Sequence, residues 1–306
     1  MKLESVIPLR DAFLEYQTVY TNLGADYSVT DLIKPPRIVR LWKRYSKEIE
    51  RDLDILKNLG SFRGNAIHDY FKKMLYRITQ KSKSNEYLLE TRLWDRINGR
   101  KISGAIDCLH NTELYDFKTC SVWKEVFQQY EDWENQLNLY AFLLYLVGKP
   151  VTKVNVIAWY QDWDKNKVFN YTNYPREEMQ VISLPVWNVV DQHKYMASCI
   201  EKHKEAEDLY DDELPYCTKE DMWAKDDAWA VYKLTKSGDL SGKARRVLKS
   251  SELAEQWIKK KKSDDYKIIH RKGERTRCMD WCSVNQYCNQ WKEYCNGVQV
   301  QEKEGS

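Results

Sequence analysis

No run of eighteen apolar residues occurs anywhere in the 306 residues of this chain, whereas a membrane-spanning helix needs about twenty. Its first residues do not form a basic segment followed by an apolar one, so no secretory leader is expected. Together these absences point to a reducing cytoplasm, where disulfides are disfavoured. No GxxxxGK[ST] phosphate loop is present, since Gly238 to Ala244 has the wrong spacing and lacks the hydroxyl. Any nucleotide-driven motor is therefore expected on a separate chain. Cysteine is missing from the whole stretch before Cys108. Net charge is only +3, too little by itself to indicate a partner.

What is present is more telling. With 42% hydrophobic and 31% charged residues, the chain can bury a substantial core, as one large domain or one domain with an appendage. Its charge is segregated. Six Lys or Arg and no acid lie between Lys34 and Lys47, thirteen bases meet five acids between Lys243 and Arg277, and six acids without a base lie between Glu205 and Glu213. Basic patches of this kind suit a phosphate backbone, although solvated helix faces produce similar runs. The 12 Trp and 21 Tyr are expected mostly in cores, with a few left to stack on unpaired bases.

The stretch Lys101 to Thr119 organises the reading. Two runs rich in β-formers, Ile102 to Leu109 and Leu114 to Thr119, flank turn-prone polar residues, the pattern of a hairpin. A two-residue turn at Asn111 and Thr112 sets Asp107 opposite Asp116, with Lys118 on the same side as Asp116 by the period-two alternation of a strand. Facing carboxylates have Cβ atoms about 4.5–5.5 Å apart and repel. A divalent metal between them removes the repulsion, and Lys118 adds a positive charge for a substrate phosphate. A solvated polar face on an edge hairpin is the alternative.

Around that hairpin the pattern alternates. Ser28 or Thr30 is placed to cap a short helix. Pro35 and Pro36 start another, with Ile38, Leu41, Trp42 and Tyr45 inward and Arg40, Lys43, Arg44 and Lys47 outward. Ile67, Tyr70, Phe71, Met74 and Ile78 mark a helical face beside which His68 sits. Glu86 to Trp94 reads as a strand, with Glu90 either exposed or turned toward the acids. Trp123 to Val147 reads as one long amphipathic helix, on which Gln136 and Tyr140 share a face and can orient a substrate or a water, or bond to the sheet. Val151 to Gln161 and Val168 to Thr172 read as strands, and Arg176 to Tyr210 as helical segments broken at Pro185. This order fits an α/β core with a mixed central sheet flanked by helices.

Beyond the acidic run, strands are expected at Trp229 to Lys233, Arg245 to Leu248 and Tyr266 to His270, with a helix over Ser251 to Lys261. So small a unit usually needs a metal or disulfides. Cys278, Cys282 and Cys288 lie within eleven residues of one another, and Cys217 precedes the unit, with Cys295 as a competitor for its place. Four thiolates suit zinc or a [4Fe-4S] cluster. The expected partition is a helical segment over 1–63, a core over 64–214 and a cysteine-bearing α+β appendage over 215–306.

Gly64-x-x-x-His68, Gly104-x-x-Asp107, Asp116-x-Lys118 and Gln136-x-x-x-Tyr140, in this order, resemble the motif set of the RecB-like branch of the PD-(D/E)XK nuclease superfamily. The entry through Ser28, Thr30, Pro35 and Pro36, and the ending Arg277 to Cys288, resemble phage-type members. The resemblance implies a restriction-endonuclease-like fold and a metal-dependent deoxyribonuclease, an exonuclease of phage or prophage recombination or repair. A structure- or site-specific endonuclease, or an inert nucleic-acid-binding module, are the alternatives. It implies Mg2+ or Mn2+ on His68, Asp107, Asp116 and the Phe117 carbonyl, with Lys118, Gln136 and Tyr140 in catalysis. It further implies a cluster on Cys217, Cys278, Cys282 and Cys288 that staples the C-terminal segment to the core; Cys217 stands in for a ligand that relatives carry far upstream. DNA is the implied substrate, with a separate helicase or a single-strand annealing or binding protein as partner.

Overall fold

The computed structural model describes residues 24–49, 55–82, 86–261 and 265–304. In chain order the elements are β1 (Tyr27–Ser28), α1 (Val29–Leu32), α2 (Pro36–Tyr45), α3 (Ile55–Ser82), β2 (Tyr87–Ile97), β3 (Arg100–His110) and β4 (Glu113–Cys120). Then follow α4 (Val122–Val126), α5 (Glu131–Leu146), β5 (Lys153–Tyr160), β6 (Met179–Leu184) and α6 (Val189–Glu205). The last are β7 (Ala228–Lys233), β8 (Arg246–Leu248), α7 (Ser251–Lys261), β9 (Tyr266–Arg271) and α8 (Asn289–Glu304). The described residues form two compact units, 24–34 with 55–205 and 35–49 with 206–304. This differs from the expected partition: the stretch 35–49 belongs with the C-terminal unit, and the boundary falls at Glu205, at the head of the acidic run. The first 23 residues, which the expected N-terminal segment includes, lie outside the described residues.

The first unit is built on a mixed six-stranded sheet of order β1-β3-β4-β5-β6, with β2 also paired to β3. Two successive hairpins make its centre. Asn98 and Gly99, both at positive φ, turn β2 into β3, a strong two-residue hairpin signal. Asn111, at φ +55°, turns β3 into β4, and the expected register holds for Cys108 with Tyr115, Leu109 with Leu114 and His110 with Glu113. Beyond these three pairs the strands part. β4 runs parallel to β5 along its whole length, from Glu113 with Lys153 to Cys120 with Tyr160. β1 pairs in parallel with β3 farther along, at Ile102 and Ser103. Asp107 and Asp116 are therefore not ladder partners, because β4 has already left β3 where they would meet.

The parallel β4–β5 pair requires a crossover, and α4 and α5 supply it. The single long helix expected here is two. α4 starts on the Ser121 cap, whose Oγ accepts the Trp123 N–H, and ends before Gln128, which stands at φ +52° and cannot continue a right-handed helix. α5 restarts with Glu131, Asp132 and Glu134 in its first turn, favourable against the helix dipole. From Gln136 to Leu144 every α5 residue is buried, so it is a core helix and not an amphipathic one. α1 carries a capping box: Ser28 Oγ accepts the Asp31 N–H at 3.1 Å and Asp31 Oδ2 accepts the Ser28 N–H at 3.2 Å.

Two strand expectations fail beside it. Residues 168–172 follow a 3-10 turn capped by Asp164 and form no strand. The sixth strand is instead Met179–Leu184, within a stretch expected to be helical; it pairs antiparallel with β5, and its exposed positions alternate with more covered ones along the edge of the sheet. On α3, Tyr70 and Ile78 are exposed, not core-facing.

The second unit holds an antiparallel sheet of order β8-β7-β9, with α7 packed on it through buried Ala254 and an edge contact of Trp257 with Tyr266. A separate core gathers Leu41, Ala206, Leu214, Val284 and Cys288, with Ile38 and Tyr45 packed against it. α2 is rotated from its expected orientation. Trp42 is 47% exposed, while Val39 and Arg37 are buried. Arg37, Arg40 and Arg44 all donate to carbonyls of the segment from Glu207 to Pro215, so half of the basic run that looked available for phosphates is spent on the protein itself.

Candidate active site

The parting of β3 and β4 leaves backbone groups to satisfy, and Asp107 does this. Its Oδ2 accepts the Phe117 N–H at 2.8 Å, in place of the ladder carbonyl that β3 would otherwise offer. Its Oδ1 lies 2.9 Å from His68 Nε2. His68 is brought there by Gly64, one turn earlier on α3, where a Cβ would stand 2.7 Å from Thr119 Oγ1. The bare glycine lets the helix close onto β4, and the stacking of Phe71 on Phe117, centroids 4.8 Å apart, fixes its rotation.

Glu90 completes the group. Leu89 pairs with Cys108 and Thr91 with Ile106, so Glu90 falls opposite Asp107, but its φ of +48° breaks the ladder at that point. Its Oε1 lies 3.4 Å from His68 Nδ1, and Lys72 Nζ lies 3.6 Å from its Oε2. Ligand atoms of His68, Glu90 and Asp107 fall within 4.8 Å of one another, the one such set among the described residues. Two hard carboxylates and an imidazole suit a divalent cation, the imidazole favouring Mn2+ over Mg2+. In sequence the signal for Glu90 was a lone acid in a strand, which gave no reason to prefer it over an exposed position.

Asp116 is not part of that set. It is 3% exposed, and Lys118 Nζ lies 2.7 Å from its Oδ2. Apart from that ion pair, Oδ2 has no further hydrogen-bond partner. Burial pushes the Asp116 carboxyl up to about 6 against the pull of Lys118. Burial works against the Lys118 charge, but Asp116 and Asp107 outweigh it and hold the ammonium above its ordinary value. The hydrogen bond to Asp107 raises His68 despite its burial, and burial raises Glu90.

Gln136 and Tyr140 are both buried on α5, and Gln136 Nε2 donates to Tyr140 Oη at 3.0 Å. The Tyr140 ring lies over Gly104, where a Cβ would stand 2.8 Å from Cε1. Gly104 thus lets α5 settle on β3 three residues before Asp107.

In the second unit Cys217, Cys278, Cys282 and Cys288 line one narrow pocket. Cys295 is not among its lining residues. Gln290 clamps Cys217 in place, its Oε1 accepting the Cys217 N–H and its Nε2 donating to the Cys217 carbonyl. Asn285 Nδ2 donates to the Cys278 carbonyl at 2.8 Å. Burial pushes the Cys217 thiol up to about 12 and the Cys278 thiol to about 11, with the neighbouring sulfurs adding to both. Buried and sharing one pocket, these thiols are costly to ionise without a cation.

No family model matches the sequence, and no curated protein matches it. Solved structures that resemble it do so at low identity. A protein named SSO0001 is 18% identical with a TM-score of 0.44, over 63% of this chain and 84% of that one. An alkaline exonuclease from Laribacter hongkongensis is 11% identical with a TM-score of 0.34, over 58% and 85%. A phage-related exonuclease from Haemophilus somnus is 13% identical with a TM-score of 0.33, over 55% and 78%. The functional reading therefore rests on the site itself.

Proposed function

We propose that the chain is a divalent-metal-dependent deoxyribonuclease, of the exonuclease type found in phage recombination or repair. The observation that carries this is the convergence of His68, Glu90 and Asp107 within 4.8 Å beside the buried Asp116–Lys118 pair. His68, Glu90 and Asp107 would hold Mg2+ or Mn2+, with Asp116 and the Phe117 carbonyl as the further ligands that the motif implies. When bound, the cation lowers the pKa of its water and polarises the scissile phosphate.

The remaining chemistry belongs to the chain. Lys118, kept cationic by Asp116 and Asp107, donates to a phosphate oxygen and meets the charge that develops there. Lys72 steadies Glu90. Phe71 and Phe117 wall the approach with apolar surface and keep loose water from the phosphate. Gln136 and Tyr140 act as positioning residues, through the β3 backbone that carries Asp107. The basic runs hold the DNA backbone through phosphate contacts.

The four cysteines hold a [4Fe-4S] cluster, with zinc as the alternative. A zinc tetrahedron with Zn–S bonds of about 2.3 Å places its sulfurs about 3.8 Å apart. Among the described residues no three of these sulfurs lie within 4.8 Å of one another, so they are not at zinc spacing.

The test is cleavage of end-labelled linear and circular DNA, single- and double-stranded, with Mg2+, Mn2+ or chelator, wild type beside Asp116→Ala. Metal-dependent loss of linear DNA, absent in the variant, is expected. Cutting of circles would replace the exonuclease with an endonuclease, and retained activity in Asp116→Ala would refute the assigned site.

A further inference from the structure

Arg37 is the least expected buried residue in the chain. It is 0% exposed, yet among the described residues it forms no ion pair with a carboxylate. Its three nitrogens donate to the carbonyls of Pro215, Asp211 and Leu214, and Nη1 also lies 4.0 Å from Cys288 Sγ. The Tyr216 ring covers the guanidinium at 4.9 Å. Asp211 gives Arg37 its backbone oxygen; its carboxylate, which feels the Arg37 charge, is itself bonded to Arg44 and Tyr45. The other acid on the pocket, Asp221, accepts the Thr218 N–H.

Arg37 also sits in the first turn of α2, where the helix dipole disfavours a cation. An arginine stays charged under all ordinary conditions, and a buried charge whose only carboxylate is shared with Arg44 is poorly compensated. Neutral carbonyls satisfy its donors but not its charge. The remaining group within reach is sulfur, and a thiol supplies no negative charge.

We infer that Arg37 is the buried counter-charge of the four-cysteine site, donating to the Cys288 sulfur as a metal-bound thiolate. This rests on the reading of the four cysteines as a metal site. The same side chain grips Leu214 and Pro215, just ahead of Cys217, so one guanidinium braces the first ligand of the set and compensates the last. It explains why the Pro35-Pro36-Arg37 entry belongs to the C-terminal unit. The chemistry follows from donation to sulfur: a hydrogen bond and a positive charge withdraw electron density from the thiolate, stabilise the ligated state and raise the reduction potential of any redox-active metal held there.

The experiment uses the full chain, reconstituted anaerobically with ferrous iron and sulfide and separately loaded with cobalt(II) as a probe of a zinc site. Wild type, Arg37→Gln, Arg37→Lys and Arg44→Gln are compared by sulfur-to-metal absorbance, metal content and loss of metal to EDTA, with circular dichroism as the fold check. Arg37→Gln is expected to lose metal about 10- to 100-fold more readily and Arg44→Gln to stay within about twofold of wild type. The absorbance of Arg37→Gln is expected to move to longer wavelength, which a merely loosened fold does not produce. Arg37→Lys, which keeps the charge, is expected to move less and to retain more. An unmoved band in folded Arg37→Gln overturns the inference, as does equal weakening by Gln and Lys without a shift. Should Arg37→Gln not fold, an unmoved band in Arg37→Lys with wild-type retention overturns it. A wild-type chain that takes up neither metal refutes the cysteine site itself, and this inference with it.

Discussion

Asp107 Oδ2 accepts the Phe117 N–H at 2.8 Å across the gap where β4 leaves β3, while Oδ1 of the same carboxylate faces His68 at 2.9 Å. One side chain thus repairs the opened ladder with one oxygen and offers the other to a cation. The site exists because the hairpin is incomplete.

The two duties separate by mutation. Asp107→Asn keeps an oxygen for the Phe117 N–H but loses the charge, so divalent-ion binding should fall sharply with little change in melting temperature. Asp107→Ala loses both, and the orphaned N–H should cost about 1–3 kcal/mol. Thermal melts beside Mn2+ calorimetry check the pair; equal stability of the two variants would sever Asp107 from its structural role.

Glu90→Gln tests the residue that broke the strand ladder. Its carboxylate lies in the cation set, and Mn2+ affinity is expected to fall by at least tenfold, about 1.4 kcal/mol, in a folded protein. Unchanged Mn2+ affinity by calorimetry would remove Glu90 from the ligands.

Gly104→Ala places a methyl 2.8 Å and 2.9 Å from Tyr140 ring carbons. Overpacking of this kind costs about 1–3 kcal/mol. A lowered melting temperature is expected, partly restored by Tyr140→Leu, which frees the space; a silent Gly104→Ala would mean that α5 does not rest on β3 there.

Asp211 links stability to pH. Burial pushes its carboxyl up, but hydrogen bonds from Tyr45 and Arg44 and the nearby guanidinium charges outweigh it and hold it below its ordinary value. A depressed folded pKa stabilises above the unfolded value of about 3.9 and loses that contribution as pH falls through the folded one. Denaturant melts from pH 6 down through the carboxylate range, with approximate allowance of 1 kcal/mol for a partly exposed pair, should show a steeper loss for wild type than for Asp211→Asn. Parallel curves would dismiss the link.

Much was legible in the chain before any fold was known. The Asn111-Thr112 turn and its register, the helix Ser251–Lys261 with its three flanking strands, and the Ser28 cap all depend on contacts between near neighbours, which local residue preferences encode. The spacing of Asp107, Asp116 and Lys118 pointed to this hairpin for the same reason. Asn98-Gly99 carries an equally strong turn signal.

Other features had no local cause. That β4 abandons β3 after three pairs has no cause among near neighbours: β1, from far earlier in the chain, takes the same edge of β3 at Ile102 and Ser103, and the parting separates Asp107 from Asp116. Glu90 enters the site through a backbone conformation that β2 adopts only against β3 and α3. The break at Gln128 and the burial of α5 on both sides follow from the space between sheet and α6, which hydrophobic periodicity does not measure. The inward turn of Arg37 required carbonyls 174 to 178 residues away. By itself the sequence determined which residue types were available, in what order and with what local turns; tertiary structure decided which of them share a site, because partners distant along the chain settle burial and pairing.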